Sequence, residues 1–140
     1  MADIKHQLDI GASPEKIYEA ITSQEGLSNW WAVDTRAKPE VGSVAKFGFN
    51  KRRTVFEMEV KELTPPSKIR WACNGGHPEW EGTRLEFEIT ETEKGSSLLF
   101  SHLDWESTDG IYPMCSYDWA GYLYSLRMYC ETGEGLPHPE

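Results

Sequence analysis

His102, Asp104 and Cys115 are the side chains whose types and spacing come closest to chemistry. His102 follows Leu98 and Phe100 at alternate positions, with Asp104 next in the same parity, so a strand here turns them all to one face. An imidazole titrates near neutrality, and a neighbouring carboxylate fixes its tautomer; together they orient a ligand or move a proton. The other reading is a buried imidazole satisfied by the backbone, and if Leu99 and Leu103 are the inward set His102 is solvated. His6, in register with Ile4, Leu8 and Ile10, is a second inward imidazole. Cys115 and Ser116 sit where a final helix begins, and the positive end of a helix dipole lowers a thiol pKa. A Cys115/His102 nucleophilic pair is conceivable, but no oxyanion-hole motif accompanies it, so no catalytic residue is assigned.

The aromatic side chains offer a different chemistry. The chain carries six Trp, six Tyr and five Phe. Trp30, Phe47, Phe56, Trp71, Phe87 and Trp119 are all expected on one inner face, with Met58 and Leu123 beside them. Aromatic walls of this kind suit an apolar or planar ligand, and the same pattern is equally that of a plain packed core. The loops Gly75–Trp80 and Trp105–Tyr112 are long enough to form a cavity rim or to be ordinary connections. The Lys51-Arg52-Arg53 cluster reads as a solvated hairpin tip.

The elements that must position these residues are legible from periodicity. Ile4, His6, Leu8 and Ile10 alternate with polar residues as a half-buried strand does. Ser13-Pro14-Glu15 opens a helix with a serine N-cap, a proline at the first helical position and an acid at the positive dipole end. Ser23 caps a second short helix running into Trp30-Trp31. From about Ala32 to Leu103 the period is two, interrupted by Gly- and Pro-containing turns, which describes an antiparallel meander covered on one side. Trp119, Tyr122, Leu123, Leu126 and Cys130 then fall at i, i+3, i+4, i+7 and i+11, a helix spanning Met114 to Glu131 packed on the sheet. Asp118, Ser125 and Arg127 are expected on its far side, Gly133 as its stop, and 134–140 as a flexible tail.

Charge and composition exclude several classes. Fourteen basic against 23 acidic residues give a net charge of -9, the wrong sign for phosphate backbones or anionic membrane faces. Neither nucleic acid nor membrane is expected as a partner. No stretch approaches the roughly 20 apolar residues of a membrane span, and the N-terminus lacks a signal-type apolar run, so a cytoplasmic location is expected. Cys73, Cys115 and Cys130 are widely spaced without C-x-x-C or metal-ligand spacing, which favours reduced structural thiols and no metal.

Taken together, Ser13-Pro14-Glu15 with Ile17-Tyr18 and Ala20-Ile21, Leu27 with Trp30-Trp31, Gly42 with Val44, Trp71, the Thr90 to Gly95 turn, His102, and Trp119-Ala120-Gly121-Tyr122 through Glu131-Thr132-Gly133 resemble the START-like (SRPBCC, helix-grip) superfamily. Within it the chain is most similar to homologues of the C-terminal domain of the heat-shock-protein-90 ATPase activator. The resemblance implies one α+β domain over 1–140, with its core at about 4–133. A curved antiparallel sheet of six or seven strands would wrap a long C-terminal helix, with two short helices after the first strand. It implies a cavity between sheet and helix for an apolar small molecule such as a lipid, polyketide or flavonoid, and no cofactor. The expected ligand-binding residues are Trp30, Phe47, Phe56, Met58, Trp71, Phe87, His102, Trp119 and Leu123, in a monomer or weak dimer. A co-chaperone-like interaction protein and an enzyme acting on a hydrophobic substrate through cavity polar residues are the alternatives. The co-chaperone's separate N-terminal domain has no counterpart in this sequence, which leaves ATPase stimulation without its expected contact.

Overall fold

The computed structural model describes residues 1–140. The chain runs β1 (Ala2–Ile10), α1 (Pro14–Thr22), α2 (Gln24–Trp30), β2 (Asp34–Arg36), β3 (Val44–Phe49), β4 (Thr54–Thr64), β5 (Lys68–Gly75), β6 (Arg84–Thr92), β7 (Gly95–Trp105) and α3 (Tyr112–Thr132). One seven-stranded sheet orders these strands β1-β7-β6-β5-β4-β3-β2, and every pairing is antiparallel. The meander therefore supplies six strands in sequence, and β1 closes on the last of them. Register shifts in the β4–β5 pair and near the start of β1 add unpaired residues that bend the strands. The result is the α+β helix-grip architecture.

Local chemistry explains the helix boundaries. Ser13 Oγ accepts the Lys16 amide at 3.2 Å and Pro14 occupies the first turn of α1. Ser23 ends α1 and begins α2, its own amide bonded to Glu19 O while its Oγ accepts the Gly26 amide at 2.9 Å. Gly26 is required by close approach, since a Cβ there would lie 2.5 Å from Ala20 O. α3 begins at Tyr112 rather than Met114 because Pro113 lacks only an amide that the first turn leaves unpaired anyway. It stops at Gly133, whose φ of 90° is the left-handed cap and whose amide reaches Tyr129 O.

A single cluster of 29 buried apolar residues fills the space between sheet and helices. α3 buries Cys115, Trp119, Leu123, Leu126 and Cys130 against it. The predicted strand parity is observed for Phe47, Met58, Val60, Ile69, Trp71, Cys73, Leu85, Phe87, Ile89, Leu98 and Phe100, all buried. On the outer face, charged pairs such as Arg84–Asp104 at 2.6 Å and Arg70–Glu62 at 3.3 Å are substantially solvated, where such pairs contribute little.

Two expectations are corrected. The segment after Gly133 is not a free tail. The Leu136 amide donates to Ser125 Oγ at 2.7 Å, the His138 amide to Trp31 O at 2.8 Å, and Val33 returns an amide to His138 O at 3.0 Å. Ser125, expected on the outer side of α3, is consequently buried, its hydroxyl donating to Trp30 O while it receives Leu136. A hydroxyl that answers two backbone groups is a satisfied buried polar residue, and helical spacing alone does not reveal its partners.

Candidate functional site

The interior between sheet and α3 is occupied by the aromatic side chains themselves. Trp31 is their centre. Its ring centroid lies 4.2 Å from Phe47, 5.1 Å from Trp119 and 6.2 Å from Trp71, and Trp71 meets Phe87 at 5.1 Å. Phe87 continues to Phe100 at 5.2 Å, which returns to Trp119 at 4.4 Å. Spacings of this size are direct contacts in tilted, edge and, for Trp31–Trp71, stacked geometries, so this layer is packed core.

Beyond this layer a cleft of about 450 Å³ opens at one end of the grip, and a groove of about 460 Å³ adjoins it along α3 beside Tyr117, Gly121 and Leu136. One wall is the β3–β4 hairpin, through Phe49, Asn50, Thr54 and Phe56. A second is the first half of α3, with Met114, Cys115, Asp118, Trp119 and Tyr122, preceded by Ile111. His77 and Trp80 from the β5–β6 loop, Trp31 from below and His138 from the docked tail complete it. Phe56 and Trp80 face each other at 4.2 Å, and His138 stands against Phe49 at 4.9 Å. The two histidines add a small polar inventory. His77 Nδ1 accepts the Glu79 amide, leaving Nε2 to donate, and His138 Nδ1 donates to Pro139 O. A volume of this order with aromatic walls and few polar groups matches the usual anatomy of a small-molecule site.

The predicted site residues divide accordingly. Phe56 and Trp119 line this cleft. Phe47, Met58, Trp71, Phe87 and His102 are buried in the core beneath it. Leu123 is buried on α3, does not line this cleft, and borders a separate depression beside β1. Trp30 is buried in the same core cluster but does not line the cleft; its indole donates to Ala20 O at 2.8 Å and so ties α2 to α1. Its neighbour Trp31, at the C-cap of α2, is also in the core and reaches the cleft. Both tryptophans belong to one helix end, and which of them reaches the cleft depends on how that helix terminates. Trp80 and Tyr122 were visible as a loop aromatic and a stripe residue, but nothing local placed them at one opening.

His102 has partners that differ from those expected. Asp104 has a φ of 70°, which throws its carboxylate outward onto Arg84 Nε at 2.6 Å, so the His102/Asp104 pair does not form. Nδ1 of His102 instead accepts the Trp119 indole N–H at 3.2 Å, and Nε2 meets Thr83 Oγ1 at 2.8 Å. Indole only donates, so the neutral ring carries its proton on Nε2 and gives it to Thr83, whose hydroxyl donates in turn to Trp80 O. With the ring fully buried, desolvation pulls its pKa down to about 3. Protonating Nδ1 would set two donors against each other. His102 is therefore a structural peg under the cleft floor. Cys115 is likewise remote from nucleophilic duty: burial pushes its thiol up, and its Sγ accepts the Trp80 indole at 3.4 Å. Cys73 and Cys130 are free and buried, their pKa values raised by desolvation to about 11 and about 12. His6, half-buried, places Nε2 3.1 Å from Ser116 O and serves to hold β1 to α3.

No group of three or more His, Cys, Asp or Glu is placed to hold a metal ion, and no helix is long and apolar enough to cross a membrane.

Comparison with known proteins bears on this geometry. Residues 11–131 match the family model described as Activator of Hsp90 ATPase homolog 1-like protein. The solution structure of the Aha1 dimer from Colwellia psychrerythraea is 36% identical, with a TM-score of 0.88 over 96% of this chain and 100% of that one. The crystal structure of SSP2350 from Staphylococcus saprophyticus is 16% identical, with a TM-score of 0.80 over 99% and 98% of the two chains. DynU16, a putative protein in the dynemicin biosynthetic locus, is 19% identical with a TM-score of 0.78, over 95% of this chain and 48% of its own. The last two likenesses are of fold alone. No curated protein matches the chain significantly.

Proposed function

We propose that this chain, which belongs to the Activator of Hsp90 ATPase homolog 1-like family of the START-like superfamily, binds an apolar, planar small molecule in the cleft at the mouth of its grip. The carrying observation is the cleft of about 450 Å³ walled by Phe49, Phe56, Trp80, Trp119 and Tyr122, above a core that its own aromatics already fill. The proposed ligand is of the lipid, polyketide or flavonoid kind, and the reading assigns no catalytic step. A mouth site places the ligand against Phe56 and Tyr122, both only partly buried in the free protein, so binding removes aromatic surface from water.

Amide NMR titration against fatty acids, sterols, flavonoids and polyketides tests this. Saturable shifts are expected at Asn50, Phe56, Trp80 and Tyr122, and not at Phe87 or Leu123. Phe56→Ala is expected to weaken the responding ligand about tenfold, equivalent to roughly 1.4 kcal/mol. Shifts centred on Phe87 and Leu123 would relocate the site to the interior, and no saturable shift across all four classes or with a flat aromatic amine would favour an interaction protein.

A second reading concerns self-association, favoured by the outer face of α3. Met114, Tyr117 and Tyr124 are exposed there, Leu136 of the tail is exposed nearby, and Gly121 has open space around it. The Colwellia psychrerythraea relative is described as a dimer, and this face is the proposed seat of a weak dimer here. Sedimentation velocity is expected to show concentration-dependent association that Tyr117→Glu removes; a concentration-independent monomer for the unaltered chain would dismiss it.

A further inference from the structure

We propose that the cleft selects a cationic ligand, an amine or quaternary ammonium on a flat apolar body, with its charge held between Asp118 and the aromatic walls. This rests on the reading of the cleft as a small-molecule site and adds the ligand's charge. Asp118 is the one acidic or basic side chain among the lining residues apart from the two histidines, and no Lys or Arg lines the cleft. It takes part in none of the chain's ion pairs. The nearest basic cluster, at the β3–β4 hairpin tip, does not answer it: Arg52 is bound to Asp34 at 2.8 Å, and Lys51 and Arg53 stand exposed outside the lining. Glu79, from the loop that carries His77 and Trp80, accepts the Ile111 amide and also has no cation partner. Asp118 is solvent-exposed on the cleft wall, and Glu79 is half-buried just outside the lining. After burial, which is the first cause, Asp118 and Glu79 each push the Cys115 thiol higher, and Asp118 does the same to the Tyr122 phenol.

A cation over the face of Trp or Tyr is attracted by the ring quadrupole, the more so where water is partly excluded. An unpaired carboxylate at the mouth adds a Coulombic contact, and the net charge of -9 raises the encounter rate for cations. An anion of the same shape meets the negative ring faces and Asp118 together. The arrangement thus discriminates by sign as well as by shape.

Three probes of one shape provide the test: 1-naphthylmethylamine, 1-naphthalenemethanol and 1-naphthaleneacetate, titrated at pH 7.5 and read by amide NMR at Phe56, Trp80 and Tyr122. The amine is expected to bind about tenfold more tightly than the alcohol, the sum of a partly exposed ion pair and a cation–π contact, and the acetate more weakly than either. Raising the salt concentration shrinks the amine's advantage. Asp118→Asn brings the amine's affinity down to that of the alcohol. If all three probes bind the cleft alike, or the acetate binds best, the charge inference fails while the small-molecule site stands. If Asp118→Asn leaves the amine's advantage intact, the assignment to this carboxylate is overturned. If none of the three shifts these amides, the site itself is refuted and the inference with it.

Discussion

Acidification from pH 8 to pH 4.5 is expected to remove roughly 3 kcal/mol of folding stability through His102 alone. The native pKa of this histidine lies at about 3, lowered by burial, against about 6.5 in an unfolded chain. The unfolded state therefore binds the proton first. Stability is complete above pH 6.5 and falls as pH drops toward 3, with a slope approaching about 1.4 kcal/mol per pH unit inside that window. The geometry gives the reason, because a proton added at Nδ1 would face the Trp119 N–H that this nitrogen now accepts. His102→Gln isolates the effect. A glutamine amide can accept from Trp119 and donate to Thr83 as the imidazole does, but it does not titrate. Urea unfolding across pH 4.5 to 8 is expected to show the steep loss in the unaltered protein and a much shallower one in His102→Gln. The remaining histidines, His6, His77 and His138, are common to both proteins and cancel in the comparison. Parallel pH profiles would show that His102 is not the group responsible.

Trp31→Ala is expected to cost about 4 kcal/mol, in the range for emptying a fully buried tryptophan site. Trp31 is 1% exposed and bridges the aromatic layer from Phe47 on β3 and Trp71 on β5 to Trp119 and Tyr122 on α3. Its backbone oxygen also receives the His138 amide, so the tail that walls the cleft is seated on the same residue. Against a total stability that for most domains is about 5–15 kcal/mol, the loss is a large share. Urea midpoints report it directly, and near-UV circular dichroism is expected to lose much of its tryptophan signal. Trp31→Phe keeps an aromatic ring in the site and should remain folded with a smaller loss. Val41→Ala, at an exposed position, is expected to stay within about 0.5 kcal/mol. A cost for Trp31→Ala no greater than for Val41→Ala would contradict its central place in the core.

The contrast between Trp30 and Trp31 shows where sequence reasoning stops. Both are apolar, adjacent and at the end of one short helix, and both are fully buried. One fastens α2 to α1 through Ala20 O; the other organises the core and lines the cleft. Helical spacing separates faces inside an element, but the C-cap residue leaves the helix and its direction is set by what it packs against. Asp104 teaches the same lesson on a strand. Alternation places it beside His102, and a single left-handed backbone angle turns it to Arg84 instead. Ser125 looked like a surface residue until the tail folded over it.

What the sequence by itself determined is everything that local hydrogen bonding and period dictate. Ser13 and Ser23 cap α1 and α2, Gly133 ends α3, and alternation from β3 to β7 sorts the strands into an apolar and a solvated face. Those signals depend on neighbours a few residues away, so they survive without knowledge of the fold, and they were enough to imply a sheet gripping one helix. Only the tertiary structure decided that the inner aromatics consume the space between them, that His102 is locked neutral between Trp119 and Thr83, and that a cleft opens at the mouth beside Asp118. Whether a buried face leaves a cavity depends on how side chains from β3, β5, β7, α2 and α3 fill one another's gaps. That is a property of several distant segments meeting in three dimensions, and periodicity along any one of them is blind to it.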